Sequence, residues 1–187
     1  SSGVIDVHEN PPQNLVQTLY ASDKQIETEL RSAFQDTFER DIKLDYSGGN
    51  LALRVGKEVG EFDDLPEDPR DLYEVMGEYD TLDEEGDGYR SFVGIVLSLL
   101  LSDNRIVLLD EPDAFLHPAQ SRELGSWVAE RGIEVPNQLL IATHDSNFIS
   151  GLLSGPHEID IFRLNRNNDH TVFNRLSSDI TEQLSSD

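Results

Sequence analysis

The stretch from Arg105 to Pro118, Arg-Ile-Val-Leu-Leu-Asp-Glu-Pro-Asp-Ala-Phe-Leu-His-Pro, constrains the fold more than any other in the chain. Four consecutive apolar residues, Ile106 to Leu109, suit a strand buried on both faces of a parallel sheet. Such a strand delivers two adjacent carboxylates, Asp110 and Glu111, to its C-terminal end. Paired acids in that position are costly unless they meet a cation or a reacting water. An ordinary strand running into an acidic turn has the same local pattern, so the surrounding segments must decide.

Downstream, Gln138 to Ser146 reads Gln-Leu-Leu-Ile-Ala-Thr-His-Asp-Ser: an apolar strand, polar residues, then a helix start. His144 would then stand at the tip of a neighbouring strand, where an imidazole can reach a terminal phosphate. An isolated histidine after a strand is more often a surface or structural residue. Company with Asp110 and Glu111 shifts that balance. Upstream, Asp83 to Ser91 reads Asp-Glu-Glu-Gly-Asp-Gly-Tyr-Arg-Ser and leads into the apolar stretch Phe92 to Leu101. A glycine-rich turn opening a helix exposes backbone N–H groups and the positive dipole end, which favours phosphate. The plainer alternative is a flexible acidic linker capped into a core helix.

A glycine-rich helix start, an Asp-Glu strand and a histidine strand, in that order, resemble the C-terminal half of an ABC-type ATPase head. The nearest group is that of the RecF, SMC and OLD-type stand-alone ATPases, often described as AAA or ATP-binding proteins. The resemblance is strongest over residues 83–150 and extends over 24–165. It implies an α/β, P-loop NTPase fold: a largely parallel sheet flanked by helices, with a small antiparallel hairpin element. It further implies that Asp110 is the Walker B aspartate holding Mg²⁺ and Glu111 the catalytic glutamate. Asp113 to His117 match the following D-loop and its Leu-His-Pro element, and His144 matches the switch histidine. Gly86, Gly88, Arg90 and Ser91 match the signature loop that contacts a nucleotide held by an opposing subunit. In this chain the usual signature serine falls at about Gly86, and Asp87 replaces a small neutral residue. An acid facing phosphate repels it unless Arg90, a cation or an outward orientation compensates.

No Gly-x-x-x-x-Gly-Lys-Ser/Thr loop occurs in these residues, and none of the three lysines, Lys24, Lys43 and Lys57, follows such a glycine. That loop is the main phosphate clamp and supplies a hydroxyl ligand for Mg²⁺. The chain is therefore expected to be a fragment, with the phosphate-binding half upstream or on a second polypeptide. A start at Ser1 rather than Met fits an internal cut.

Thirty-seven acidic residues against 14 basic ones give a net charge of −23, and residues 58–87 hold fourteen acids and a single base, Arg70. The stretch suits a solvated loop, an acidic docking surface or an acidic adaptation of the whole surface. The scarcity of lysine favours the last, in an organism with a salty cytoplasm. Self-repulsion of this size is screened within about 3 Å at 1 M salt. No basic stripe with interleaved aromatics is visible, so nucleic-acid contact would come from elsewhere in an assembly. With no cysteine, neither disulfide nor thiolate chemistry operates. The longest apolar run, Ile95 to Leu101, falls far below the ~20 residues of a membrane span and reads as a buried helix packing on the sheet. No secretory signal is apparent, and a cytoplasmic location without membrane partners is expected.

Four segments follow: a helix and hairpin element over 1–56, an acidic loop region over 57–82, the ATPase core over 83–175 and a tail over 176–187. Within them, Val4 to Val7 suit a short strand and residues 14–20 a short helix. Asp23 caps an amphipathic helix over about 24–40, and residues 42–46 and 51–55 alternate around Ser47 to Asn50 as a β-hairpin. A short helix is expected near Leu72 to Met76, then helices over 118–131 and 146–153. Ile159 to Leu164 suit a strand paired with Val172 and Phe173, and Ile180 to Leu184 a final helical turn.

What the resemblance implies for function is an ATP- and Mg²⁺-dependent head that works as a nucleotide-sandwich homodimer. Asp113 would line the dimer seam, and the setting would be DNA maintenance or anti-phage defence, where such heads gate a nuclease or other effector. A non-catalytic nucleotide-sensing module is the alternative. A transport ATPase subunit is weaker, because the Leu-His-Pro element counts against it.

Overall fold

A computed structural model describes residues 12–101, 106–131, 138–156, 159–167 and 170–176. The strand expected at Val4 to Val7 and the turn at Ile180 to Leu184 lie outside them. The chain divides into two compact units, Ser1–Asp103 and Asn104–Asp187.

In the first unit, α1 (Leu15–Ala21) and α2 (Lys24–Phe38) begin at side-chain caps. Asn14 accepts from the Gln17 N–H and Asp23 from the Gln25 N–H, which satisfies donors that a helix start leaves bare. Helix α2 ends at Phe38, just short of the expected end, where Glu39 turns into the left-handed region at φ 53°. The chain then enters the hairpin β1 (Ile42–Asp45) and β2 (Ala52–Val55), antiparallel with Ile42 opposite Val55 and Asp45 opposite Ala52. Asp68 caps α3 (Pro69–Met76), whose proline occupies the first turn, where its missing N–H costs nothing. The glycine-rich turn opens α4 (Asp87–Leu100), capped at Gly86 without a side-chain bond. Phe92, Val96 and Leu97 on α4 are buried, and within the unit α4 packs against α2 and α1.

The core of this unit surrounds an ion pair. Asp41, fully buried, accepts Nε and Nη2 of Arg31 at 2.6 and 2.5 Å. It also accepts Gln35 Nε2 and the N–H groups of Ile42 and Phe62. Burial pushes this carboxyl up, but Arg31 and the Phe62 N–H outweigh it and hold the group below its ordinary value. A buried charge is tolerable only with this many partners.

The second unit is a β-α-β-α series followed by a hairpin: β3 (Ile106–Asp110), α5 (Pro118–Arg131), β4 (Gln138–Ala142), α6 (Ser146–Leu153), β5 (Phe162–Asn167) and β6 (His170–Arg175). Strands β3 and β4 are parallel, Ile106 opposite Gln138 through Asp110 opposite Ala142. Strands β5 and β6 are antiparallel, with Leu164 opposite Phe173. The class is thus α/β, with a single parallel strand pair and two antiparallel hairpins among the described residues.

Helices α5 and α6 approach closely at two glycines. A methyl group at Gly125 would overlap the Phe148 carbonyl, and one at Gly151 the Arg122 carbonyl. Leu124, Val128 and Phe148 fill the seam and are almost wholly buried. The expectation that β3 is buried on both faces does not hold among the described residues. Ile106, Leu108 and Leu140 are 65%, 72% and 53% exposed, while Val107, Leu109, Leu139 and Ile141 are half-buried. A parallel pair is shielded on both sides only when a layer covers each face. An apolar run shows what the strand prefers, not which layers cover it.

Candidate nucleotide site

Parallel pairing sets the site. Because Asp110 lies opposite Ala142, the next residues of both strands leave the sheet side by side. The Glu111 N–H donates to the Ala142 carbonyl at 2.8 Å, adding one rung beyond the ladder. Glu111 then adopts φ 48°, a conformation that costs a non-glycine residue roughly 1–3 kcal/mol and persists only when its surroundings over-determine it. Its carbonyl accepts the Ala114 N–H and that of Asp113 accepts the Leu116 N–H, so the acidic turn is tightly wound. Phe115, at φ 68°, is 75% exposed.

Glu111 Oε2 meets His144 Nδ1 at 2.5 Å. A neutral ring donating from Nδ1 leaves Nε2 as an acceptor, and a protonated ring presents Nε2–H as a donor. The imidazole is 84% exposed, so that second nitrogen faces outward. Asp113 joins the pair, and one ligand atom from each of Glu111, Asp113 and His144 lies within 4.8 Å of the others. Asp110 is not among the three; it stands exposed at the end of β3. Mg²⁺ takes hard oxygen ligands and keeps several waters, and this carboxylate fits as one such ligand.

Thr143 and Asp145, which flank the histidine, hold the arrangement. Thr143 Oγ1 donates to Asp113 Oδ1 and accepts the Asp145 N–H at 3.0 Å, tying the two strand ends together. Asp145 caps α6 by accepting the Phe148 N–H at 2.7 Å, and also accepts the Ser121 hydroxyl of α5 at 3.0 Å. Partial burial pushes its carboxyl up, but the Phe148, Ser121 and Asn147 donors prevail and hold it below the ordinary range. His117 plays a comparable role at the start of α5: its Nδ1 accepts the Ala119 N–H at 3.4 Å and its carbonyl the Ser121 N–H at 2.9 Å. Sequence reasoning singled out His144 alone in Thr-His-Asp. An aspartate directly before an apolar helix is a readable cap; the threonine bridge carries no local signal.

Gly86, Gly88, Arg90 and Ser91 belong to the first unit. Gly86 and Arg90 are exposed, and Gly88 and Ser91 half-buried. Arg90 pairs with Asp87 one turn below, so the acid that would repel phosphate already has a cation beside it. The turn is anchored by a residue the sequence did not flag. Arg40 donates to Glu85 at 2.8 Å, to the Gly56 carbonyl at 2.8 Å and to the Tyr89 hydroxyl at 3.2 Å. The Tyr89 ring sits 4.5 Å from that of Phe38, so Arg40 and Phe38 together fix the first turn of α4.

Comparison with known proteins agrees with this architecture. Residues 76–150 match the family described as "AAA domain, putative AbiEii toxin, Type IV TA system". A structure from work on ATP-driven dimerization and DNA-stimulated activation of SMC ATPases aligns with a TM-score of 0.59 at 11% identity, covering 87% of this chain and 90% of that one. An Smc head bound to the C-terminal winged-helix domain of ScpA aligns with a TM-score of 0.59 at 12% identity, covering 86% of this chain and 44% of that one. An Smc head with an extended coiled coil from Pyrococcus furiosus, bound to the C-terminal domain of ScpA, gives 0.58 at 11%, covering 87% and 37%. No curated protein matches the chain. The fold is similar to that of SMC ATPase heads over most of the chain, and the family match lies within it. Among the described residues no helix is long and apolar enough to cross a membrane.

Proposed function

We propose that this chain is the C-terminal portion of a head that binds and hydrolyses ATP with Mg²⁺, completed by a segment carrying the glycine-lysine phosphate loop. The contact between Glu111 and His144 at the tips of adjacent parallel strands carries the reading. A carboxylate and an imidazole so placed can serve one triphosphate from one side. Glu111 orients and deprotonates the attacking water, while His144 Nε2 steadies the γ-phosphate. Asp110 would hold Mg²⁺ through a carboxylate oxygen, and the ion would supply positive charge to offset the negative charge developing on the phosphate oxygens. Phosphoryl transfer is catalysed mainly by positioning and electrostatics, and the strained, multiply bonded turn at Glu111 suits that demand.

Gly86, Gly88, Arg90 and Ser91 contact the nucleotide of a second head, and Asp113 lines the seam of the resulting homodimer. The SMC ATPases described for ATP-driven dimerization are the precedent for that step. Gating of an effector in DNA maintenance or anti-phage defence is the setting this reading implies. The test joins the chain to its phosphate-loop segment and compares Glu111→Gln with the parent. Tight ATP binding and dimerisation without phosphate release are expected. Unchanged turnover in that variant would remove Glu111 from the mechanism, and ATP-dependent closure with no turnover in the parent would make the head a sensor.

A further inference from the structure

We propose that Glu111, Asp113 and His144 form a binding site for a single borderline divalent ion of the cobalt or zinc class, filled without nucleotide and separate in its donors from the Mg²⁺ ligand Asp110. The three offer one imidazole nitrogen and two carboxylate oxygens, converging within 4.8 Å of one another. Zn²⁺ sits about 2 Å from each of its ligands, so a small side-chain adjustment brings the three donors onto one ion. The ion takes the place of the proton between His144 Nδ1 and Glu111 and releases it to solvent.

The single imidazole nitrogen in the donor set favours a borderline ion over a hard one. Imidazole suits zinc and its transition-metal neighbours, whereas Mg²⁺ prefers oxygen and parts reluctantly with water. The scaffold is preorganised. Glu111 is fixed by the rung to Ala142 and the bond from Ala114, and Asp113 by the Thr143 hydroxyl. A hydroxyl donating to a ligating carboxylate is the kind of outer contact that orients metal ligands. Among the described residues, neither Glu111 nor Asp113 forms an ion pair with lysine or arginine; Glu111 meets His144, and Asp113 accepts only the neutral Thr143 hydroxyl. A dication would relieve the repulsion between the two carboxylates. The exposure of His144 leaves room for water at the remaining coordination positions.

One consequence rests on the ATPase reading. An ion held by Glu111 and His144 occupies both the water-activating carboxylate and the phosphate-facing imidazole, so it competes with hydrolysis.

The site is tested by titrating Co²⁺ into the metal-free chain in molar KCl with excess Mg²⁺, following the visible d–d absorption. One equivalent is expected, displaced by Zn²⁺ and not by Mg²⁺. His144→Ala and Asp113→Asn should each weaken binding at least about tenfold, with Thr143→Val weakening it by about tenfold through Asp113. Asp87→Asn, an exposed acid elsewhere, should leave the titration unchanged. His144→Ala removes an exposed ring, so loss of folding does not confuse the result. Absence of a saturable spectrum overturns the proposal. So does binding that survives His144→Ala, which marks adventitious carboxylates of a chain with net charge −23, or binding lost on Asp110→Asn while His144→Ala retains it. A chain that binds Co²⁺ as described yet hydrolyses no ATP when completed upholds the site and sinks only the ATPase reading.

Discussion

Glu111 reaches His144 because Asp110 and Ala142 are opposed residues of parallel strands and the Glu111 N–H bonds to the Ala142 carbonyl. The two side chains are therefore held in contact, and under the proposed function they work together. In the completed head, Glu111→Gln should lower turnover by roughly 100-fold or more, the scale of a general base. His144→Ala should lower it too, and the double variant should fall well short of the product of the two losses, as expected for residues working together. Single-turnover phosphate release from the four proteins checks this. Fully multiplicative losses would separate the roles of the two side chains.

Asp41 provides a test in the other unit. Removing its charge by Asp41→Asn leaves Arg31 with Asp63, an exposed partner, and breaks a buried pair. Loss of one member of a fully buried pair costs about 3–5 kcal/mol, and the loss here should fall below that because Arg31 is partly exposed and keeps Asp63. The pH dependence follows from the direction of the shift. The folded carboxyl titrates below its unfolded value, so its contribution is complete above the unfolded pKa and fades as pH falls through the folded one. Denaturation midpoints should therefore drop on acidification below about pH 4 in the parent and respond less in Asp41→Asn. Equal acid sensitivity in both would dissociate the buried pair from acid stability.

Much of the architecture was legible because helix starts announce themselves locally. Asp23 before α2, Pro118 at α5 and Ser146 at α6 placed those starts to the residue. The alternation around Ser47 to Asn50 placed the first hairpin in the same way. The sequence also placed the Asp-Glu and Thr-His-Asp segments at the ends of two apolar strands, and the strands do pair in parallel with those ends side by side. What stayed hidden was long-range. Arg40 bonds Glu85 across 45 positions and Arg31 bonds Asp63 across 32, and a lone arginine in or just beyond a helix does not declare its partner. The left-handed turn at Glu111 was equally silent, because glutamate has no preference for it. Nor could the apolar run of β3 reveal that Ile106 and Leu108 would stand exposed.

Gly151 and Gly125 set how closely α5 and α6 approach. A methyl group at either position meets a backbone carbonyl of the other helix, which cannot rotate away as a side chain could. Gly151→Ala should therefore destabilise the second unit by about 1–3 kcal/mol or more, the range of overpacking. An equilibrium urea titration reads the loss. Gly94→Ala, a helical glycine with open space beside it, is the control and should be neutral or slightly stabilising.

Gly86 is open in a different sense. It caps α4 at φ −67°, ψ 160°, a conformation any residue adopts, and a methyl group on its Cα would meet nothing within 4 Å. Gly86→Ser should thus add a hydroxyl acceptor to the bare helix start and stabilise the first unit by a few tenths of a kcal/mol. Under the proposed function, the same change places a serine where a signature loop usually carries one. If that loop meets nucleotide on a second head, the variant should also tighten ATP-driven dimerisation of the completed protein, measured by light scattering against ATP concentration. A gain in melting temperature with no change in dimerisation would detach Gly86 from the nucleotide and leave it only a cap.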